Sequence, residues 1–169
     1  MSETPRVERD RDPGGRPQNA RPRDRLGRPL PRDVRVGEWA EEHAPADLDE
    51  ALALGVALWN DERFFEAHEL LEHVWHAAPE EDRRFWQGVI QVAVGCTHHQ
   101  RGNHVGTIAL LRRAASKLDG YPDVHHGVDV EQLRVFARGA ADAVELAGFT
   151  VEIGYPEFPA MDGGPRVEA

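Results

Sequence analysis

From Phe85 to Cys96 the chain reads Phe-Trp-Gln-Gly-Val-Ile-Gln-Val-Ala-Val-Gly-Cys. Turned at about 100° per residue, a helix over this stretch is apolar around most of its circumference. Such a helix has to be central, with other elements against most of its sides. The spacing predicts this helix over about 80–100, with four amphipathic helices around it. The first spans about 47–59, with Asp47 or Asp49 as cap. The second spans about 63–77 and stops at Pro79. Another, over about 104–118, places Ile108, Leu111, Ala115 and Leu118 on one stripe. The last starts at Asp129, whose Gln132 gives capping-box spacing, and runs to about 147. The expected fold is therefore all-α: a compact bundle of about five helices arranged as stacked helical hairpins. A faint repeat at an offset of 40 sets Gly55 on Gly95 and Leu70-Leu71 on Leu110-Leu111.

The flanks differ from this centre. Residues 1–46 are rich in Arg and Pro and should be extended or irregular, because proline removes a donor and restricts its predecessor. The first 35 residues hold ten Arg against six acids, whereas the remainder is acidic enough to bring the chain to −10. The tail is either disordered or a strap laid on the acidic body. Residues 148–169 carry one β-like stretch, Phe149 to Ile153, and are otherwise irregular. Trp39, Tyr155 and Phe158 in these flanks should pack on a second subunit or back on the domain. The organisation expected is a tail over 1–46, a helical domain over 47–147 and a second tail over 148–169.

An acidic body argues against a globally basic nucleic-acid binder and against docking on anionic membrane. The single Cys96 supports no disulfide framework and reads as a core residue, which fits a cytoplasmic protein. No signal peptide and no run of about 18 apolar residues is visible.

The informative residues are polar ones in apolar places. On the second helix Phe64, Ala67, Leu71, Val74 and Trp75 share a sector, and Glu66, Glu69, His73 and His76 lie opposite. His68 falls inside the apolar sector with Glu72 one turn on, a spacing at which side chains can pair. On the central helix Gln87, Gln91 and His98 share one narrow stripe, flanked by Gly88 and Gly95. Buried amides left unpaired cost about 1–3 kcal/mol each, so the stripe should face a polar pocket or itself. With the two helices antiparallel, it is expected to meet His68 and Glu72. The alternative is a satisfied core histidine with a carboxylate partner.

His68-Glu69-Leu70-Leu71-Glu72-His73 only superficially looks like the zincin pattern: Glu72 stands where the second histidine should be, and His73 comes one position late. The pairs His68/Glu72 and Glu69/His73 have ligand spacing, and His98, His99 and His104 could add nitrogens, so a bound metal is a secondary expectation. His125-His126 read as a solvated loop that could take up metal opportunistically. No phosphate loop, nucleophile elbow or paired-cysteine site is present.

Phe64-Phe65-Glu66-Ala67-His68-Glu69-Leu70-Leu71-Glu72-His73-Val74-Trp75, Phe85-Trp86-Gln87-Gly88-Val89-Ile90-Gln91 and Arg101-Gly102-Asn103 together carry a resemblance. Over about residues 48–120 the chain resembles the bacterial and archaeal domain-of-unknown-function family numbered 309. Asn19 to Asp24 and Gly27 to Pro31 are similar to the tail of actinobacterial members, which supports the strap. The resemblance implies a small all-α bundle and brings no activity with it. It places a polar signature on Glu66, His68, Glu69, Glu72, Trp75, Gln87, Gln91 and Asn103, with His98 beside them.

Three functions follow for test. The first is a binding module with a buried polar pocket between the second and third helices, for a small polar ligand or a partner segment. Its candidates are His68, Glu72, Gln87, Gln91 and His98, with Trp75 as a wall. The second is a small hydrolase or lyase, metal-dependent or not, with Glu72 or Glu69 as base and His68 as acid or orienting partner. The third is RNA contact through the Arg-rich tail, disfavoured by the interspersed Asp and the missing aromatic platforms. The partners expected are thus a small ligand or protein segment, with homo-oligomerisation left open.

Overall fold

The computed structural model describes residues 22–31, 45–148, 150–161 and 163–167. It contains α1 (Leu48–Asn60), α2 (Phe64–Ala77), α3 (Glu80–Gln100), α4 (His104–Leu118), β1 (Val124–His125), β2 (Val128–Asp129) and α5 (Val130–Ala147). The five helices are those expected, with ends moved by a residue at most.

Local chemistry sets those ends. Asp47 caps α1 by accepting from Glu50 N–H at 2.9 Å, and Glu50 reaches back to Ala46 N–H at 2.6 Å, so two orphan donors are satisfied reciprocally. Ala78, before Pro79, is extended and ends α2. The first turn of α3 carries Glu80, Glu81 and Asp82, which suit the positive end of its dipole. Gly102, at φ 71°, lets the chain reverse between α3 and α4. Asn103 then caps α4 through Gly106 N–H at 3.0 Å, and Asp129 caps α5 through Gln132 N–H at 2.9 Å.

Each helix packs on the next in sequence, which makes α3 the middle layer. Phe85, Val89, Val92, Ala93 and Cys96 on α3 are all fully buried. Gly88 and Gly95 allow α4 its close approach: a Cβ at Gly95 would lie 2.6 Å from Leu111 Cδ2, and one at Gly88 2.8 Å from Leu118 Cδ2. The group that these glycines admit is therefore helix α4.

The flanks do more than trail. Among residues 22–31, Asp24 Oδ1 accepts from Leu26 N–H at 2.9 Å and from Arg28 N–H at 2.7 Å, and Leu30 N–H closes the loop on Pro22 O at 2.8 Å. This compact loop lies on Phe65 and Arg101: the Arg101 Nε–H donates to Leu26 O, and Gly27 sits buried against the Phe65 ring. At the other flank, Trp59 Nε1–H donates to Pro156 O at 2.8 Å and Phe158 N–H to Asn60 Oδ1 at 2.6 Å. Phe158 meets Trp59 edge-on at 5.3 Å, and Tyr155 meets Phe64 at 5.0 Å. Tyr155 and Phe158 thus pack back on the domain, while Trp39 lies outside the described residues.

The β-like stretch is corrected. Residues 150–153 form a turn and extended chain with no ladder, and Phe149 lies outside the described residues. The pairing that exists falls elsewhere, in a hairpin that places Val124 opposite Asp129 and His125 opposite Val128. Val128 bridges further to Ala160. His126 and Gly127, at φ 48° and 71°, form its two-residue turn, the left-handed pair that a tight hairpin requires. No helix among the described residues is long and apolar enough to cross a membrane.

Candidate functional site

The edge of α2 carries the first group. His68 is largely withdrawn from water, and its Nδ1–H donates to Phe65 O. A carbonyl can only accept, so the neutral ring keeps its lone pair on Nε2. Burial pulls the His68 imidazole below its ordinary range; Glu72 and the Phe65 carbonyl oppose this, and Arg101 adds to it. Glu69 moves upward, because burial and the neighbouring Glu72 and Glu66 disfavour its charge more than Arg23 and His73 favour it. His68 therefore lies within electrostatic reach of Glu72 and of Arg101 at the end of α3, and Glu69 within reach of Arg23 from the N-terminal loop. Phe65 sits between those two guanidiniums, 6.0 Å from Arg23 and 5.6 Å from Arg101.

The stripe of α3 is spread along the groove with α4. Gln87 Oε1 accepts from Lys117 Nζ at 2.5 Å. His98 Nδ1 accepts from Asn103 Nδ2–H at 2.7 Å. The amide orientation follows from the cap, since Asn103 Oδ1 is already held by Gly106 N–H. Burial and Arg101 lower the His98 imidazole. Gln91, between these two, has a buried side-chain oxygen with no hydrogen-bond partner. The contacts of Gln87 and His98 thus run to α4 and its N-terminal turn.

The remaining candidates have structural partners. Glu66 pairs with Arg63, through Nη2 at 2.6 Å and Nε at 2.7 Å. Trp75 is half-buried at the edge of the core, with His76 against its ring at 4.6 Å. Cys96 is fully buried and its thiol is pushed up, which agrees with a core role. His99 is used up on the opposite face of α3. Its Nε2–H donates to Val151 O at 2.8 Å, and its Nδ1 accepts from Tyr155 OH at 2.7 Å.

One cluster escapes sequence reasoning. His125 and His126 are not a solvated loop: the hairpin folds them against Asp82 in the first turn of α3. His125 Nε2 lies 2.9 Å from Asp82 Oδ1 and His126 Nε2 lies 2.8 Å from Asp82 Oδ2. Burial alone would raise the Asp82 carboxyl, but the two imidazoles outweigh it and hold the group below its ordinary range. The adjacent His-His before Gly127 was the visible signal, and nothing in the sequence joined it to a residue 43 positions earlier. Arg101, Phe65 and Arg23 were missed likewise, since their meeting depends on where the N-terminal loop lies.

Residues 52–110 match the family model described as "Domain of unknown function (DUF309)". Over those residues the chain is similar to this family. The match takes in α1 from Leu52 onward, all of α2 and α3 and about the first half of α4, so the matched segment holds His68, Glu72, Gln91 and His98 but not the hairpin. An uncharacterised protein of Aquifex aeolicus (strain VF5) is 28% identical over 99 residues, or 58% of this chain. The uncharacterised protein YpuF of Bacillus subtilis (strain 168) is 45% identical over 49 residues, or 28% of this chain. Each match spans only 28% of the relative's own length.

Proposed function

We propose that this protein is a binding module whose site joins the α2 edge at His68 and Glu72 to the α3 stripe at Gln91. Its ligand is a small polar molecule, or a short partner segment, that brings hydrogen-bond donors. The observation that carries this reading is the buried Gln91 oxygen without a partner. Native structures rarely leave such a group unmatched, because doing so costs about 1–3 kcal/mol. The α2 edge carries charges of both signs, with Glu69 within reach of Arg23 and His68 within reach of Glu72 and Arg101, which favours a ligand of mixed polarity over a simple anion or cation. A second reading, acid–base catalysis at the same groups, draws on the raised Glu69 carboxyl and on the Nε2 lone pair that His68 keeps.

The test is a thermal-stability screen of the full chain against amino acids, nucleosides and sugars, run in parallel on Gln91→Leu and His68→Ala. Gln91→Leu removes the orphan acceptor at similar volume, so it should fold and be about 1 kcal/mol more stable. A compound that raises the wild-type midpoint and leaves Gln91→Leu unmoved supports the module. Hits indifferent to both substitutions, or none at all while Gln91→Leu is stabilised, would reduce the stripe to a polar flaw in a helical core.

A further inference from the structure

The hairpin and the first turn of α3 bring together three side chains of a different chemistry from the α2 edge. Asp82, His125 and His126 offer one carboxylate oxygen and two imidazole nitrogens that all lie within 4.8 Å of one another. They are withdrawn from water: the side chains of His126, Asp82 and His125 are 6%, 12% and 24% exposed.

The hydrogen bonding is lopsided. His125 Nε2–H donates to Asp82 Oδ1 with good geometry. His126 Nε2 is as close to Oδ2, yet it lies off the line a hydrogen bond needs and has no partner, although it is buried. A ring nitrogen nine-tenths buried beside a carboxylate that it does not bond is expensive, unless a third body takes its lone pair.

We infer that Asp82, His125 and His126 form a binding site for one first-row divalent cation of the zinc type. Two imidazoles select against calcium and magnesium, which take oxygen ligands. Two nitrogens and one carboxylate oxygen are a three-ligand set that leaves zinc a fourth position for water. Zinc bonds of about 2.0–2.1 Å set tetrahedral neighbours roughly 3.3 Å apart, and ligand atoms within 4.8 Å of one another reach that spacing by small rotations of the side chains. On binding, His125 changes tautomer, its proton leaving Nε2 for solvent while Nδ1 gains one, and the ion takes both Nε2 lone pairs and the carboxylate.

The surroundings hold the ligands in place. His126 stacks on Trp86 at 6.2 Å and 18°, while Phe85 meets His125 edge-on at 4.8 Å. The Tyr121 hydroxyl accepts from Phe85 N–H and donates to Glu81 O, fixing the wall beside His125. The turn is tied from outside as well: His126 O accepts from Arg166 N–H at 2.9 Å and Gly127 O from Met161 N–H at 2.8 Å. An apolar shell around fixed ligands strengthens a metal site. The positive end of the α3 dipole works against a cation here, and the neighbouring Glu80 and Glu81 offset it.

The experiment uses the full chain, stripped with a chelator and titrated with zinc chloride by calorimetry at neutral pH. We expect one equivalent bound, with affinity at least tenfold weaker in Asp82→Asn and lost in the double variant His125→Asn/His126→Asn. The double variant His73→Ala/His76→Ala, at two exposed histidines, should still bind one equivalent. Circular dichroism checks that each variant is folded. Imidazole NMR signals of the wild type decide independently of any variant, since those of His125 and His126 should shift first as zinc is added. Uptake that ignores Asp82→Asn, or zinc-induced shifts spread over other histidines with those two unmoved, would overturn the site. So would the absence of uptake by folded wild-type protein.

Discussion

His68 is a polar ring held largely out of water on an otherwise apolar sector of α2. Its Nδ1 is spent on the Phe65 carbonyl, and its burial lowers its proton affinity in spite of that bond. His98 is lowered too, by burial and Arg101. The sign for stability follows. Above the ordinary imidazole value of 6.5 neither the folded nor the unfolded state holds the extra proton, and full stability is present. As the pH falls below that value the unfolded chain charges first, so stability declines until the folded rings charge in turn. Urea midpoints should drop on acidification through this window, and the drop should be shallower in His68→Gln/His98→Gln. An equal slope in that variant would mean that other groups govern the acid limb.

At the scale of elements, the α3–α4 contact is set by what is missing from it. Gly95 brings the Leu111 side chain against the backbone of α3, so Gly95→Ala forces overpacking and should cost about 1–3 kcal/mol. Gly139, in the middle of α5, has nothing within 4 Å of where a Cβ would stand. There the same change should stabilise by about 0.5–1 kcal/mol, because alanine loses less backbone freedom in a helix. Denaturation of both variants separates a packing glycine from a merely tolerated one. These helices were legible in sequence because each has its own signal: Asp47 and Asp129 as caps, Pro79 as a stop, and a nearly continuous apolar surface from Phe85 to Cys96. The short hairpin was not, since two residues per strand give no periodicity. Its position depends on Ala160, Met161 and Arg166, which read as an irregular tail. For the polar residues, the pattern marked His68, Gln91 and His98 as out of place. It could not say that Gln87 and His98 would find partners on α4 and its cap, because helix periodicity gives a face and not the neighbour across from it.

For the whole molecule, sequence-adjacent helices supply most of the packing, and the C-terminal segment supplies the long-range closure. Trp59 and Asn60, at the end of α1, are bonded to residues nearly a hundred positions later. Phe158, 5% exposed, is the apolar plug of that closure. Phe158→Ala should cost about 3–5 kcal/mol, as large a loss as emptying a core position. Equilibrium unfolding in urea reads it directly. A cost under about 1 kcal/mol would place the segment outside the cooperative unit.

The stacking of Trp86 on His126 also has an optical consequence. Trp86 and Trp59 are both buried, one against the hairpin and one against the C-terminal segment. Each indole therefore emits from an apolar setting beside a different flank of the chain. With Trp39 and Trp75 replaced by phenylalanine, substituting one or the other of these two as well would leave a single blue-emitting fluorophore, so that the release of either flank could be followed separately, in real time and without an added dye.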